Sequence, residues 1–102
     1  MYLIQILLPL YDNSGQRFSA EVYDDIRNEL TKTFGGVTAF RSSPAEGVWK
    51  QQNGEVSHDE IIVFEVMAEH LDRSWWAGCR QELEERFRQK KLIVRATDCE
   101  QL

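Results

Sequence analysis

The chain has 102 residues, of which 42% are hydrophobic and 28% charged, and a formal net charge of −5. That is the size and composition of one globular domain, small enough to carry little spare stability. The acid excess speaks against a sequence-independent grip on nucleic acid or anionic membranes, which needs a basic surface; the only basic run is Arg86-Phe87-Arg88-Gln89-Lys90-Lys91.

Tyr2-Leu3-Ile4-Gln5-Ile6-Leu7-Leu8 is the first predicted strand. Successive side chains on a strand point to opposite faces. Here one face is wholly apolar and the other is apolar around Gln5. Pro9 is expected to end its regular pairing, and Asp12-Asn13-Ser14-Gly15 has the composition of a turn. Ser19 then reads as a helix N-cap, with Phe18 and Tyr23 at the spacing of a hydrophobic staple. Val22, Ile26, Leu30 and Phe34 recur every four residues as one buried stripe. Gly35-Gly36 stops this helix.

Residues 37–41 and 48–52 read as two segments of one broken strand, interrupted by Ser42-Ser43-Pro44-Ala45-Glu46-Gly47. Asn53-Gly54 predicts a two-residue type I′ hairpin, which would set Trp49 opposite His58. The hairpin leads into Ile61-Ile62-Val63-Phe64-Glu65-Val66-Met67, a strand apolar on both faces except for one carboxylate. Asp72 is the expected cap of a second helix that buries Trp76, Cys79, Leu83 and Phe87. Glu82 with Arg86 and Glu84 with Arg88 are candidate i,i+4 pairs on its wet side. Residues 92–97 form the last strand.

Strand, helix, strand, strand, helix, strand is the ferredoxin-like βαββαβ order of an α+β domain. Its sheet is antiparallel in the order 4-1-3-2, with both helices on one face and the two most apolar strands at the centre. One helical layer leaves the second sheet face bare, so a second copy is expected to cover it, giving a homodimer. Cys79 and Cys99 lie in no metal-binding spacing and are expected as free thiols, without zinc or another cofactor, although a disulfide stays open. The apolar start lacks a basic leader and cleavage site, and no stretch reaches membrane-spanning length, so a cytoplasmic protein is expected.

The run Phe34-Gly35-Gly36-Val37-Thr38, then Gly47-Val48-Trp49, then a long apolar strand, resembles small bacterial proteins of unknown function in the ferredoxin-like, dimeric α+β barrel group. The resemblance implies a dimer. It leaves the chemistry open, because the group holds cofactor-independent monooxygenases, isomerases and other enzymes beside proteins without a known reaction. No catalytic set of that group maps onto this chain.

Two sets of side chains are candidates for a site. Gln5, Glu65 and Arg95 fall on neighbouring strands, on the face away from the helices. They read either as a polar ligand site or as an ion pair that sets dimer register. Trp49, Glu46 and His58 gather near the predicted hairpin, where His58 is the candidate general base and Asp59 and Glu46 are candidate orienting groups. Arg41 is the candidate partner for an anionic ligand. The plain alternative is that His58 is a solvated turn residue. Trp76 is assigned to the core and Trp75 to its rim. Phosphate-binding glycine loops, nucleophile elbows and metalloprotease histidine pairs are missing from the sequence. The expected role is therefore a binding or structural module with a modest small-molecule pocket near the sheet edge. The alternative is a cofactor-independent enzyme acting on a hydrophobic or aromatic small molecule.

Overall fold

β-branched and aromatic side chains carry the two central strands, β1 (Tyr2–Pro9) and β5 (Ile61–Ala68), through the middle of a four-stranded sheet. The computed structural model describes residues 1–42, 49–50, 56–57 and 60–102. Its other elements are α1 (Ala20–Phe34), β2 (Thr38–Ser42), β3 (Trp49–Lys50), β4 (Val56–Ser57), α2 (Arg73–Arg86) and β6 (Ile93–Asp98). The main sheet runs β2-β5-β1-β6 with every neighbouring pair antiparallel. Counting its four strands in sequence, this is the expected 4-1-3-2 order of a ferredoxin-like α+β sandwich.

Ile4, Ile6 and Leu8 of β1 and Phe64 and Val66 of β5 share one buried cluster with Tyr23, Ile26 and Leu30 of α1 and Trp76 and Leu83 of α2. One cluster joining both helices to one set of strand residues puts both helices on the same face. Tyr23 is more deeply placed than a staple residue. Its hydroxyl donates to the Pro9 carbonyl at 2.6 Å, and burial pushes that hydroxyl up to about 12. The folded chain therefore holds a proton that the unfolded chain releases near the ordinary tyrosine value of 10.0. This stabilisation is complete below that value and lost as pH rises from there towards about 12. Tyr23→Phe should remove this part of the alkaline instability. At neutral pH it should cost about 1–2 kcal/mol by orphaning the Pro9 carbonyl. Chemical denaturation across the alkaline range checks both; identical pH dependence in the two proteins would refute the assignment.

The helix ends follow local chemistry. Asp72 accepts the Trp75 N–H at 3.0 Å and caps α2, whereas Ser19 occupies the N-cap of α1 without a side-chain bond. Gly35 takes the left-handed φ of 80° and its N–H returns to the Thr31 carbonyl at 2.8 Å. Arg88 also has positive φ, 52°, which ends the second helix before Arg88 can sit one turn beyond Glu84. The expected Glu84–Arg88 pair is thus replaced: Glu84 accepts the Leu92 N–H at 2.9 Å and lies 4.0 Å from Arg80. The Glu82–Arg86 pair forms at 2.7 Å, and Glu29 joins it at 3.3 Å. Pro9 ends the regular pairing as expected: it is the last residue of β1, and its pair with Ile61 is the last of that ladder.

β3 does not rejoin β2 as the second half of one strand. It pairs with β4 in a separate two-stranded sheet. The register sets Trp49 opposite Ser57 and Lys50 opposite Val56. The expected Trp49–His58 pairing is thus corrected by one residue. The predicted Asn53-Gly54 turn lies outside the described residues.

Candidate functional site

The sheet face opposite the helices is built in rows, because antiparallel register sets same-face residues side by side across the strands. The middle row is polar: Thr38 of β2 faces Glu65, Glu65 faces Gln5, and Gln5 faces Arg95. Gln5 links this row in one direction. Its amide Nε2 donates to Glu65 Oε1 at 2.6 Å, and its Oε1 accepts from Arg95 Nε at 2.7 Å. Both bonds have one charged partner and are accordingly short.

Apolar rows lie on either side. Phe40, Val63, Leu7 and Ile93 form one, and Met67 and Leu3 continue into Thr97 to form the other. Phe40, Met67 and Ile93 are 43%, 44% and 52% exposed, so their part of this face is open to solvent. Large apolar side chains exposed together on one surface mark an interaction site more often than scattered ones do.

A cleft adjoins the row at the sheet edge. β2 pairs with β5 only as far as Glu65, and the α1–β2 turn at Gly35-Gly36 stands away from the end of β5. The space between has a volume of about 460 Å³ and is lined by Phe34, Gly36, Thr38, Glu65 and Met67. That lies within the usual size range of small-molecule sites. A carboxylate therefore sits where a cleft meets an apolar face, with an arginine two strands away.

The groove between the helices, about 400 Å³, is less suited to chemistry. Its thiol, Cys79, is pushed up to about 11 by burial and by the Glu82 and Glu29 carboxylates. It is protonated at neutral pH and a poor nucleophile. Phe34, Trp75 and Trp76 cluster at the end of the helical layer, with ring centroids 4.7–5.3 Å apart. Trp76 is buried there and Trp75 exposed. Among the described residues, no group of His, Cys, Asp and Glu is placed to hold a metal ion, and no helix is long and apolar enough to cross a membrane.

Of the residues singled out from sequence, Gln5, Glu65 and Arg95 are brought together. Arg41 is not with them: it pairs with Ile62, which packs against the core, so Arg41 shares the helix side of the sheet. Trp49 is held in the small sheet, while Glu46, His58 and Asp59 lie outside the described residues. Phe40, Thr38 and Met67 were not singled out as site residues. The alternation Thr38, Phe40 along β2 carries the signal of those two, but only their pairing with Glu65 and Val63 assigns them to the open face; Met67 follows from its place two residues after Glu65 on β5.

No protein-family model matches the chain, and no curated protein matches it. Two solved structures of a phage SAM lyase are similar in fold. The one in complex with S-methyl-5'-thioadenosine has a TM-score of 0.62 and 19% identity, over 95% of this chain and 80% of that one. The apo state has a TM-score of 0.61 and 18% identity, over 94% and 78%. At this identity the likeness is one of fold, and what the chain shares with that lyase is its βαββαβ architecture.

Proposed function

We propose that this chain is a small-molecule-binding protein whose site is the open sheet face around Glu65, completed by a second copy. One observation carries the reading. The directed row Arg95–Gln5–Glu65 lies between two apolar rows and opens into a cleft large enough for a small organic molecule. A ligand suited to such a site has an apolar or aromatic body and a charge of each sign: Glu65 faces its cation and Arg95 its anion. S-adenosylmethionine has this pattern, with a sulfonium, an adenine and a carboxylate. The named activity of the solved structures of like fold makes it the first ligand to test. A second copy packed on Phe40, Leu7 and Ile93 would roof the site and exclude water, which strengthens a charge-paired contact.

An enzymatic reading attaches to the same place. An elimination would send the carbon–sulfur bonding pair to sulfur and neutralise the sulfonium, while a C–H bond on the adjacent carbon supplies the pair of the new double bond and Glu65 accepts its proton.

Calorimetric titration with S-adenosylmethionine and with uncharged S-methyl-5'-thioadenosine tests the binding. Glu65→Gln keeps the acceptor for Gln5 and removes the charge. It should weaken the sulfonium ligand roughly tenfold and leave the neutral thioether nearly unaffected. Binding of neither molecule, or equal weakening of both, would remove the assignment. Chromatographic detection of released S-methyl-5'-thioadenosine distinguishes a lyase from a binding module.

A further inference from the structure

A second groove lies on the other side of the sheet, between α2 and the outer edge of β6. Its walls are Ala77 of α2 and Ala96 of β6, and Leu71, Trp76 and Val94 form the apolar surface between them. The two alanines are too small to close the gap, which leaves both exposed although Ala96 faces the helical layer. Arg73 and Arg80 rise from α2 along the same groove. They are seven residues apart on one side of the helix, about 10.5 Å along its axis. Lining the groove are arginines and no carboxylate, in a chain with 17 acidic and 12 basic residues. Among the described residues Arg73 has no carboxylate within 4.0 Å, and Arg80 has one, Glu84, at that limit.

β6 pairs with β1 alone, so its outer edge has no strand partner among the described residues. The groove holds about 210 Å³. That is below the roughly 300 Å³ at which whole small-molecule sites begin, yet ample for side chains projecting from a strand. An open edge, a shallow apolar trough beside it and two cations along the trough fit one kind of occupant. We propose that the groove takes an extended acidic peptide from a partner protein, which adds to β6 as a further strand. Backbone bonds to the β6 edge would supply affinity. Alternate side chains of the added strand, about 6.8 Å apart, would fall over the trough, where their carboxylates meet Arg73 and Arg80. This site shares no side chain with the row around Glu65 except Arg95, which borders both, so it stands whether or not that row binds a ligand.

The test uses a fluorescein-labelled, end-capped octapeptide of alternating glutamate and valine, followed by anisotropy and by amide spectra of the labelled protein. Binding is expected to shift the amides of residues 93–98 and to weaken roughly tenfold in Arg73→Glu/Arg80→Glu. Both arginines are exposed, so the double change leaves the core intact. A lysine–valine peptide should not bind. N-methylation of alternate residues should abolish binding in one of its two registers, because it removes the donors that a strand needs. Equal binding of the methylated peptides, or displacement by glutarate at the same concentration, would mean a simple anion site and overturn strand addition. Undiminished binding to the charge-reversed protein, or no binding to the unmodified one, would overturn it too. In the last case the arginines serve to keep strands off this edge.

Discussion

Phe87→Ala is expected to destabilise the fold by about 3–5 kcal/mol, the usual cost of deleting a buried phenylalanine ring. Phe87 is fully buried and lies just beyond the end of α2. Its ring meets Phe18 edge-on at 4.9 Å and Tyr23 at 5.7 Å. It thereby ties the loop before α1, α1 itself and the end of α2 into one contact. Deleting it opens a cavity where three segments meet, and none of them is held there by a cross-link. For a domain of this size, with about 5–15 kcal/mol in all, the loss is a large fraction of the total. The melting temperature should fall by roughly 15 °C or more. Phe87→Leu should retain most of the packing and cost about 1.5 kcal/mol or less. Thermal unfolding of the three proteins decides. An alanine variant as stable as the leucine variant would mean that the ring fills no space that the core needs.

Phe40→Asp combined with Ile93→Asp should leave one copy folded and abolish the proposed pairing of two. The positions are 43% and 52% exposed in a single chain, so two carboxylates there cost the monomer little. In a sheet-to-sheet dimer the two-fold would place four of them in the apolar rows. An unpaired buried carboxylate costs several kcal/mol, so the dissociation constant should rise by roughly a thousandfold or more. Sedimentation velocity across micromolar concentrations reads this directly. An unmodified protein that sediments as a monomer throughout would remove the dimer and the roof that it gives the Glu65 site. Val63→Asp is a poorer probe, because Val63 is only 4% exposed and the change would unfold a single chain as well.

The architecture was legible because period-two and period-four patterns were clean and agreed with burial. The even residues of β1 and β5 were apolar, and those are the residues packed under the helices. The polar row was legible for the same reason: Gln5, Glu65 and Arg95 interrupt otherwise apolar strands, and antiparallel pairing in the expected order aligns them. What escaped were properties set by register. Asn53-Gly54 has strong turn chemistry, yet Trp49 pairs with Ser57 and not with His58, a register that turn composition alone does not encode. Arg41 has chemistry suited to an anion, but its face of the sheet depends on its pairing with Ile62, which no local pattern encodes. The cleft beside Glu65 arises where β2 stops pairing with β5, and the β6 groove from two small residues opposite one another. Both are gaps between elements and have no motif of their own.

The amide of Gln5 has a consequence for how the strands find one another. Sliding β5 or β6 along β1 by two residues preserves the apolar faces, and aliphatic rows would accept the change at little cost. The polar row does not accept it. A shift of two sets Glu65 opposite Leu3 or Leu7 in place of Gln5, and leaves the amide facing Val63 or Met67. A reversed amide is no remedy even in the native alignment, since it turns its NH₂ to a guanidinium and its oxygen to a carboxylate. Gln5 thus acts as a keyed joint between two strands that arrive from different parts of the chain. Gln5→Leu would keep roughly the volume while removing the key. It would orphan Glu65 and Arg95 in the native state, and it would also let misaligned, aggregation-prone chains accumulate during refolding.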